Sequence, residues 1–436
     1  DGKVGVKLTG LNSGYIYKLQ LLVRENCCLT RGYDVTFKNG SSDVVTIKED
    51  FSTVNNLSPS PVDYSQVISH SFEASGTSVI ITLDGLATSF GDQNPILNAL
   101  TLEQIDTSNN TDGIGTLTVT GGQINAGSIF TNGTLLVSNS DNSSITGAIS
   151  DGVNSAAILT KAGAGALTLS GTNTYSGDTT INAGTIKLTG AVNTATDLII
   201  ASGATLDLQA MQTFARLDLD GTISRSAGTS TLTITGTSDL GGSITTSGTQ
   251  DYEGAVTVTG NSTLTTTSAQ ITFDTTVNSE TGETNNLTIT ASEVQFDGIV
   301  GGSRTLGVID ITGSLDLNAA ITNATSLSVS TTSNLGADVT TSSTQTYSGA
   351  VTLSGADRTL TGSTVNFGST VNGGTNALII TGALDLDGAA TNLSTLSVST
   401  TSNLGADVTT SSTQTYSGAV TLSGADRTLT GSTVNF

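Results

Sequence analysis

The chain has 436 residues, with 14 Lys and Arg against 36 Asp and Glu, a formal net charge of −22. Only 11% of residues are charged and 4% aromatic, with 51 glycines, 3 prolines and no tryptophan. This composition excludes a coiled coil, which needs charged heptads, and a highly charged disordered chain, and its acidity excludes nucleic acid as a partner; what remains is an all-β protein.

Residues 1–105 carry 7 Lys and Arg and 11 Asp and Glu, both cysteines, the single histidine and all the prolines. Strand patterns recur at 4–8, 15–25, 32–37, 44–47, 67–72, 79–83 and 96–102. In the second, Tyr17, Leu19, Leu21 and Val23 alternate with Lys18, Gln20 and Arg24; in the third, Tyr33, Val35 and Phe37 alternate with Asp34, Thr36 and Lys38. About seven half-buried strands in roughly a hundred residues predict a β-sandwich. On Arg31-Gly-Tyr-Asp-Val35, Asn39-Gly40, Ser71-Phe72, Ile80-Ile-Thr-Leu83 and Asn94-Pro-Ile-Leu-Asn-Ala-Leu100 the segment resembles a malectin-like, galactose-binding-type jelly roll. The resemblance implies carbohydrate binding, with Asp92 matching the family's sugar-contacting acid. Phe90 and Tyr64 are then candidate stacking partners, equally readable as packing aromatics. Cys27-Cys28 is either a vicinal disulfide that rigidifies a loop or a pair of free thiols; an oxidising compartment favours the disulfide.

Residues 106–112 contain no apolar side chain and read as a linker. Residues 113–436 are repetitive: 327–367 and 396–436 are identical at an offset of 69, and Gln250-Asp-Tyr252 matches Gln345-Thr-Tyr347 at an offset of 95. A third of 69 is 23, and coils of about that length with short strands and no helix predict a right-handed parallel β-helix of about 14 coils. Leu327 and Leu396 are then expected about three coils apart, near 14 Å along the axis. Inward Val, Leu and Ile of each coil would share one core, with Gly and Asn at the bends. Residues 158–190, with Lys161, Gly163, Gly165, Asn173, Tyr175, Gly177 and Gly184 and opening Ile-Leu-Thr-Lys-Ala-Gly-Ala-Gly-Ala-Leu-Thr-Leu, closely resemble the autotransporter-associated β-strand repeat. From Leu232 onward the repeats are similar to filamentous-haemagglutinin-type surface proteins. These resemblances imply a bacterial passenger region, secreted or on the cell surface.

Chemistry is sparsely supplied. His70 reads as an ordinary strand histidine, and G-x-S-x-G and H-E-x-x-H are absent. Leu217-Asp-Leu-Asp-Gly and Leu384-Asp-Leu-Asp-Gly put Asp218 with Asp220, and Asp385 with Asp387, on one side of a strand, an acid pair or cation site set against a solvated acidic stripe; the stripe is favoured. The glycines around Gly163-Ala-Gly165 read as turn glycines, since no helix follows to make a phosphate cradle. The expected function is a non-enzymatic structural or adhesive surface fibre: a β-helical shaft carrying an N-terminal glycan-binding-like module. Expected partners are glycans or cell-surface polysaccharide and further copies of the chain in filaments. No cofactor is called for, although a structural Ca²⁺ is compatible with the acidic surface. A polysaccharide-degrading lyase or glycosidase is the alternative, but no coil concentrates Asp, Lys and Arg. An ice-binding protein is the second alternative, on stacked Thr-x-Thr such as Thr231–Thr233, and is discounted because the threonines shift between coils and mix with Asn, Asp and Leu. No run of apolar residues is long enough for a membrane helix. The start at Asp1, without a leader, suggests that a signal segment is removed or lies upstream, and the repeat at Phe436 is expected to continue.

Overall fold

The computed structural model describes residues 2–25, 32–39, 43–50, 64–85, 97, 99–104, 116–120, 125–126, 129–131, 133–151 and 156–436. It is all-β, and its contacts divide it into a first unit (Asp1–Thr213 with Ser226–Gly228) and a second (Phe214–Arg225 with Thr229–Phe436). Together they hold about 15 parallel solenoid turns from residue 134 onward, against about 14 expected.

The first unit opens with eight strands: β1 (Lys3–Thr9), β2 (Ile16–Glu25), β3 (Gly32–Asn39), β4 (Asp43–Asp50), β5 (Tyr64–Glu73), β6 (Ser78–Asp84), β7 (Ala99–Gln104) and β8 (Thr116–Thr120). One antiparallel sheet runs β4-β3-β6-β1 and a second runs β5-β2-β7. The period-two alternation buries Val4, Val6 and Leu8 of β1 and Leu19 and Leu21 of β2 while their neighbours face out. The layers touch where Phe37 of β3 stacks on His70 of β5, ring centres 4.5 Å apart.

The first sheet does not stop at this small domain. β1 pairs antiparallel with β8, Val6 opposite Val119, and β8 pairs in parallel with Thr134–Ser138, Leu117 beside Leu135. From there the ladder is parallel throughout: Leu135 to Leu159, Thr179 and Leu198. The edge strand of the antiparallel domain is thus also the partner of the first solenoid strand.

The second unit is a solenoid with three strands per turn, most of them short and reading buried–partly exposed–buried. We label its sides by their ladders. Side I carries Leu327, Gln345, Val365, Leu384 and Ser402. Side II carries Val339, Leu360, Ile380, Val398 and Tyr416. Side III carries Leu315, Ser333, Val351, Val371, Ala390 and Val408. Turns are unequal in length: Ser333 to Val351 closes a short one and Ser262 to Leu287 a long one. The constant coil inferred from the sequence offset is therefore not the structural repeat.

This changes how the identical copies sit. Three turns from Leu327 end at Leu384, whereas Leu396 lies two sides further on and stacks on Leu378. The offset between the copies is therefore three and two-thirds turns, about 17–18 Å at ~4.8 Å per turn, and not the three expected. Gln250, Gln345 and Gln414 accordingly occupy sides III, I and II. A one-third rotation is tolerated because all three sides demand the same thing: a short strand with two inward apolar positions.

Candidate functional site

The sugar-site residues expected by resemblance fall largely outside the described residues: Asp92, Phe90, Cys27 and Cys28 all do. Tyr64 opens β5 opposite Glu25. His70 sits between Phe37 and Phe72, at ring-centre distances of 4.5 and 6.0 Å, and burial lowers its pKa. That is a packing histidine, held neutral by its apolar neighbours.

The acidic motif Leu-Asp-Leu occurs four times among the described residues. In Leu206-Asp-Leu208 the acid is buried and accepts from Ser226. The other three, at 217–219, 315–317 (where Asn318 stands in place of a second acid) and 384–386, face out. Each of these three heads a short outward column on successive turns: Asp218, Asp239 and Thr257 on side II; Asp316, Asn334 and Thr352 on side III; Asp385, Asn403 and Thr421 on side I. The last two columns share one geometry, in which the Asn amide donates to the Asp at 2.7 Å. In the first, Arg216 reaches Asp239 at 2.7 Å. Partial burial, followed by Asp220 and Asp239, raises the Asp218 pKa, and Arg216 opposes this. A shallow groove of about 360 Å³ overlies the middle column, lined by Glu293, Asp316, Asn334 and Thr352 among others. Among the described residues no three His, Cys, Asp or Glu side chains gather as a metal-holding group. The columns are thus hydrogen-bonded polar ladders along the outer surface.

The inner surface holds a device invisible to hydropathy. In Thr341-Ser-Ser-Thr-Gln345-Thr-Tyr347 the first Thr, the Gln and the Tyr point inward, and Gln345 and Tyr347 are fully buried. Tyr347 Oη donates to Gln345 Oε1 at 3.1 Å, Gln345 Nε2 donates to Thr361 O at 2.8 Å, and Thr341 Oγ1 donates to Ser343 O at 3.0 Å. The same chain of bonds recurs at Tyr416–Gln414 (2.9 Å) and Tyr252–Gln250 (3.0 Å). Each links one turn to a backbone carbonyl of the next, which a buried polar group needs to offset its lost hydration. The tyrosine rings also stack on the next turn, Tyr252 on Phe273 and Phe273 in turn on Phe296, each at 5.1 Å.

The first unit solves the same problem differently. Lys161 is fully buried, its ammonium donating to the carbonyls of Gly163 and Ala183, the latter at 3.2 Å. Desolvation lowers its pKa from 10.5 to about 8. Asn173 is also buried; its amide donates to Ala191 O at 2.9 Å and its oxygen accepts from Ile149 N at 3.0 Å. A Cβ on Gly163 would overlap the Asn139 backbone, so the glycine there is demanded by close approach of two turns.

Fold and sites together define an all-β protein whose bulk is a repeat-built parallel solenoid, with polar ladders outside and hydrogen-bonded plugs inside. Residues 159–188, the stretch holding Lys161 and Asn173, match the family model described as the passenger-associated-transport-repeat, a repeat typical of autotransporter passenger domains. Comparison with curated proteins and with solved structures returned no match.

Proposed function

We propose that this chain is part of a non-enzymatic bacterial surface protein of the passenger type, secreted or outer-membrane-associated, whose solenoid is a shaft and whose N-terminal β domain engages a glycan. The passenger-type repeat at 159–188 carries the surface assignment; its buried Lys161 and Asn173 lie in one solenoid turn and each donates to a backbone carbonyl of the next. Repetition supports a structural over a catalytic role. An active site is ordinarily unique in a chain, whereas the outward Asp–Asn–Thr column is duplicated on two sides.

Protease treatment of intact source cells tests the location. Peptides from this sequence should be released while a cytoplasmic marker stays intact; protection of both places the protein inside the cell and overturns the proposal. The adhesive role is read on a glycan array with the whole chain and its Asp92→Ala variant. The intact chain should bind a neutral or weakly acidic glycan, and the variant should bind at least about tenfold more weakly, the cost of one charged hydrogen bond in a sugar site. Equal binding by both removes Asp92 from the site, and a blank array removes the glycan role.

A further inference from the structure

Over the turns from Ile223 to Leu353, two sides of the second unit differ in surface chemistry. Side I contains the inward ladder Ile223, Ile244, Leu264, Ile289, Ile311, Val329, Tyr347, in unbroken register from turn to turn. The residues immediately before and after each ladder member form two columns, and every one of these positions is Ser or Thr except Asp310. On side III the corresponding ladder is Ile234, Tyr252, Phe273, Phe296, Leu317, Leu335, Leu353. Its flanking positions hold five carboxylates: Asp251, Glu253, Asp274, Asp297 and Asp316. Over these seven turns side III carries five flanking carboxylates and side I one, Asp310; two turns further on the same side I ladder reaches Leu386, flanked by Asp385 and Asp387.

The centre of side I is threonine on four consecutive turns: Thr245, then Thr263 and Thr265, then Thr288 and Thr290, then Thr312, all paired across the ladder. Among the described residues, none of these six hydroxyls has a partner inside the protein. Parallel strands set the rows ~4.8 Å apart and place the two columns ~6.6 Å apart, two residues along a strand. These two periods lie close to the oxygen repeats along the axes of a prism face of hexagonal ice. A threonine contributes one hydroxyl to such a lattice and lays its methyl against it, while a carboxylate would keep its own disordered hydration shell.

We propose that side I is an ice-binding face, taking an ordered lattice of water as its ligand. The expectation from sequence that threonines shift between coils arises from assuming a constant coil length. Because the turns differ in length, counting along the chain scatters these threonines, whereas strand pairing aligns them on this side. Thr233, the example on which the idea first rests, lies on side III. The proposal is independent of the glycan-binding reading and stands or falls without it.

The experiment is growth of a single ice crystal in a micromolar solution of the whole chain, with thermal hysteresis read on a nanolitre osmometer and recrystallisation scored in a frozen film. The chain should facet the crystal and hold it over a measurable temperature gap. Thr265→Lys and Thr290→Lys, on the central rows, should each cut the gap several-fold with unchanged circular dichroism. Thr352→Lys, outward on side III, should leave it as it is. Thr265→Val, which keeps shape and methyl, gives a second reading should a lysine variant lose its fold. A folded chain that leaves the crystal round and the gap at zero overturns the proposal, as does an equal loss from the side III substitution. Retention of the chain by crystalline polysaccharide without any effect on ice would mean that the hydroxyl columns read a different lattice, and would overturn it too.

Discussion

At the scale of single residues, the polar groups inside the solenoid hold turn to turn. Gln345 has both ends of its amide in use, accepting from Tyr347 and donating to Thr361 O, in a fully buried place. Gln345→Leu should therefore cost about 2–4 kcal/mol in denaturant unfolding, because it strands a buried hydroxyl and a buried carbonyl. Adding Tyr347→Phe should recover part of that loss, and a double-mutant cycle measures how much. Lys161 makes a different prediction. Its folded pKa of about 8 lies below its ordinary 10.5, so between these values the unfolded chain binds a proton that the folded chain has shed. Stability of the first unit should rise from about pH 8 towards pH 10. Above that, Tyr175 works the other way, since burial raises its pKa and the folded chain keeps a proton that the unfolded one loses. The unfolding transition of the first unit, followed at pH 8, 9 and 10, should gain stability with pH in the unmodified chain and flatten in Lys161→Met. The second unit, where burial raises the pKa values of Tyr252, Tyr347 and Tyr416, should show no such rise.

At the scale of elements, the corners decide the fold. Leu306–Leu317 and Leu378–Leu386 each run through a corner without a break in the strand, and each bends at a glycine, Gly313 at φ 145° and Gly382 at φ 143°. A side chain at Gly382 would overlap the carbonyl oxygen of Gly362 on the preceding turn. Gly382→Ala combines a forbidden backbone angle with that overlap and should destabilise the second unit by roughly 2–4 kcal/mol. Ala at Gly203, whose φ is 80° but which faces open space, should cost only the conformational part, about 1 kcal/mol. Chemical unfolding of the two variants separates the steric from the conformational contribution. β1 is the other decisive element. By pairing with β8 it covers a strand edge that would otherwise recruit another chain.

At the scale of the whole molecule, the rotation of the repeat has a consequence for length. A chain in which residues 328–396 are duplicated inserts three and two-thirds turns, yet every strand still follows its proper neighbour because the sides are interchangeable. It should fold, with an unchanged circular dichroism spectrum per residue and a solenoid longer by about 17–18 Å in small-angle scattering. Misfolding of that chain would mean that the sides are not equivalent after all. The repeat also moves its outward Asp–Asn–Thr column from side III to side I, so a shaft lengthened this way spreads one surface pattern around its circumference.

Much is legible from the residues alone. Alternation in Tyr17–Val23, the poverty of helix formers and the identity of 327–367 with 396–436 determine an all-β chain with an antiparallel start and a stacked remainder. They do so because inward and outward positions on a strand differ in hydropathy, and hydropathy is written residue by residue. The family match is likewise local, one contiguous stretch at 159–188. What depends on distant partners is not legible. Sequence repeats count residues, whereas stacking counts sides, so a constant coil is inferred where only the pairing of Leu396 with Leu378 reveals the one-third rotation. Gln345 reads as one more polar residue until Thr361, on the next turn, gives its amide a partner. The threonines of side I read as scattered until Thr265 and Thr290, distant along the chain, fall beside one another. Each of these is a relation between turns, and the variable corner lengths that set it leave no periodic trace along the chain.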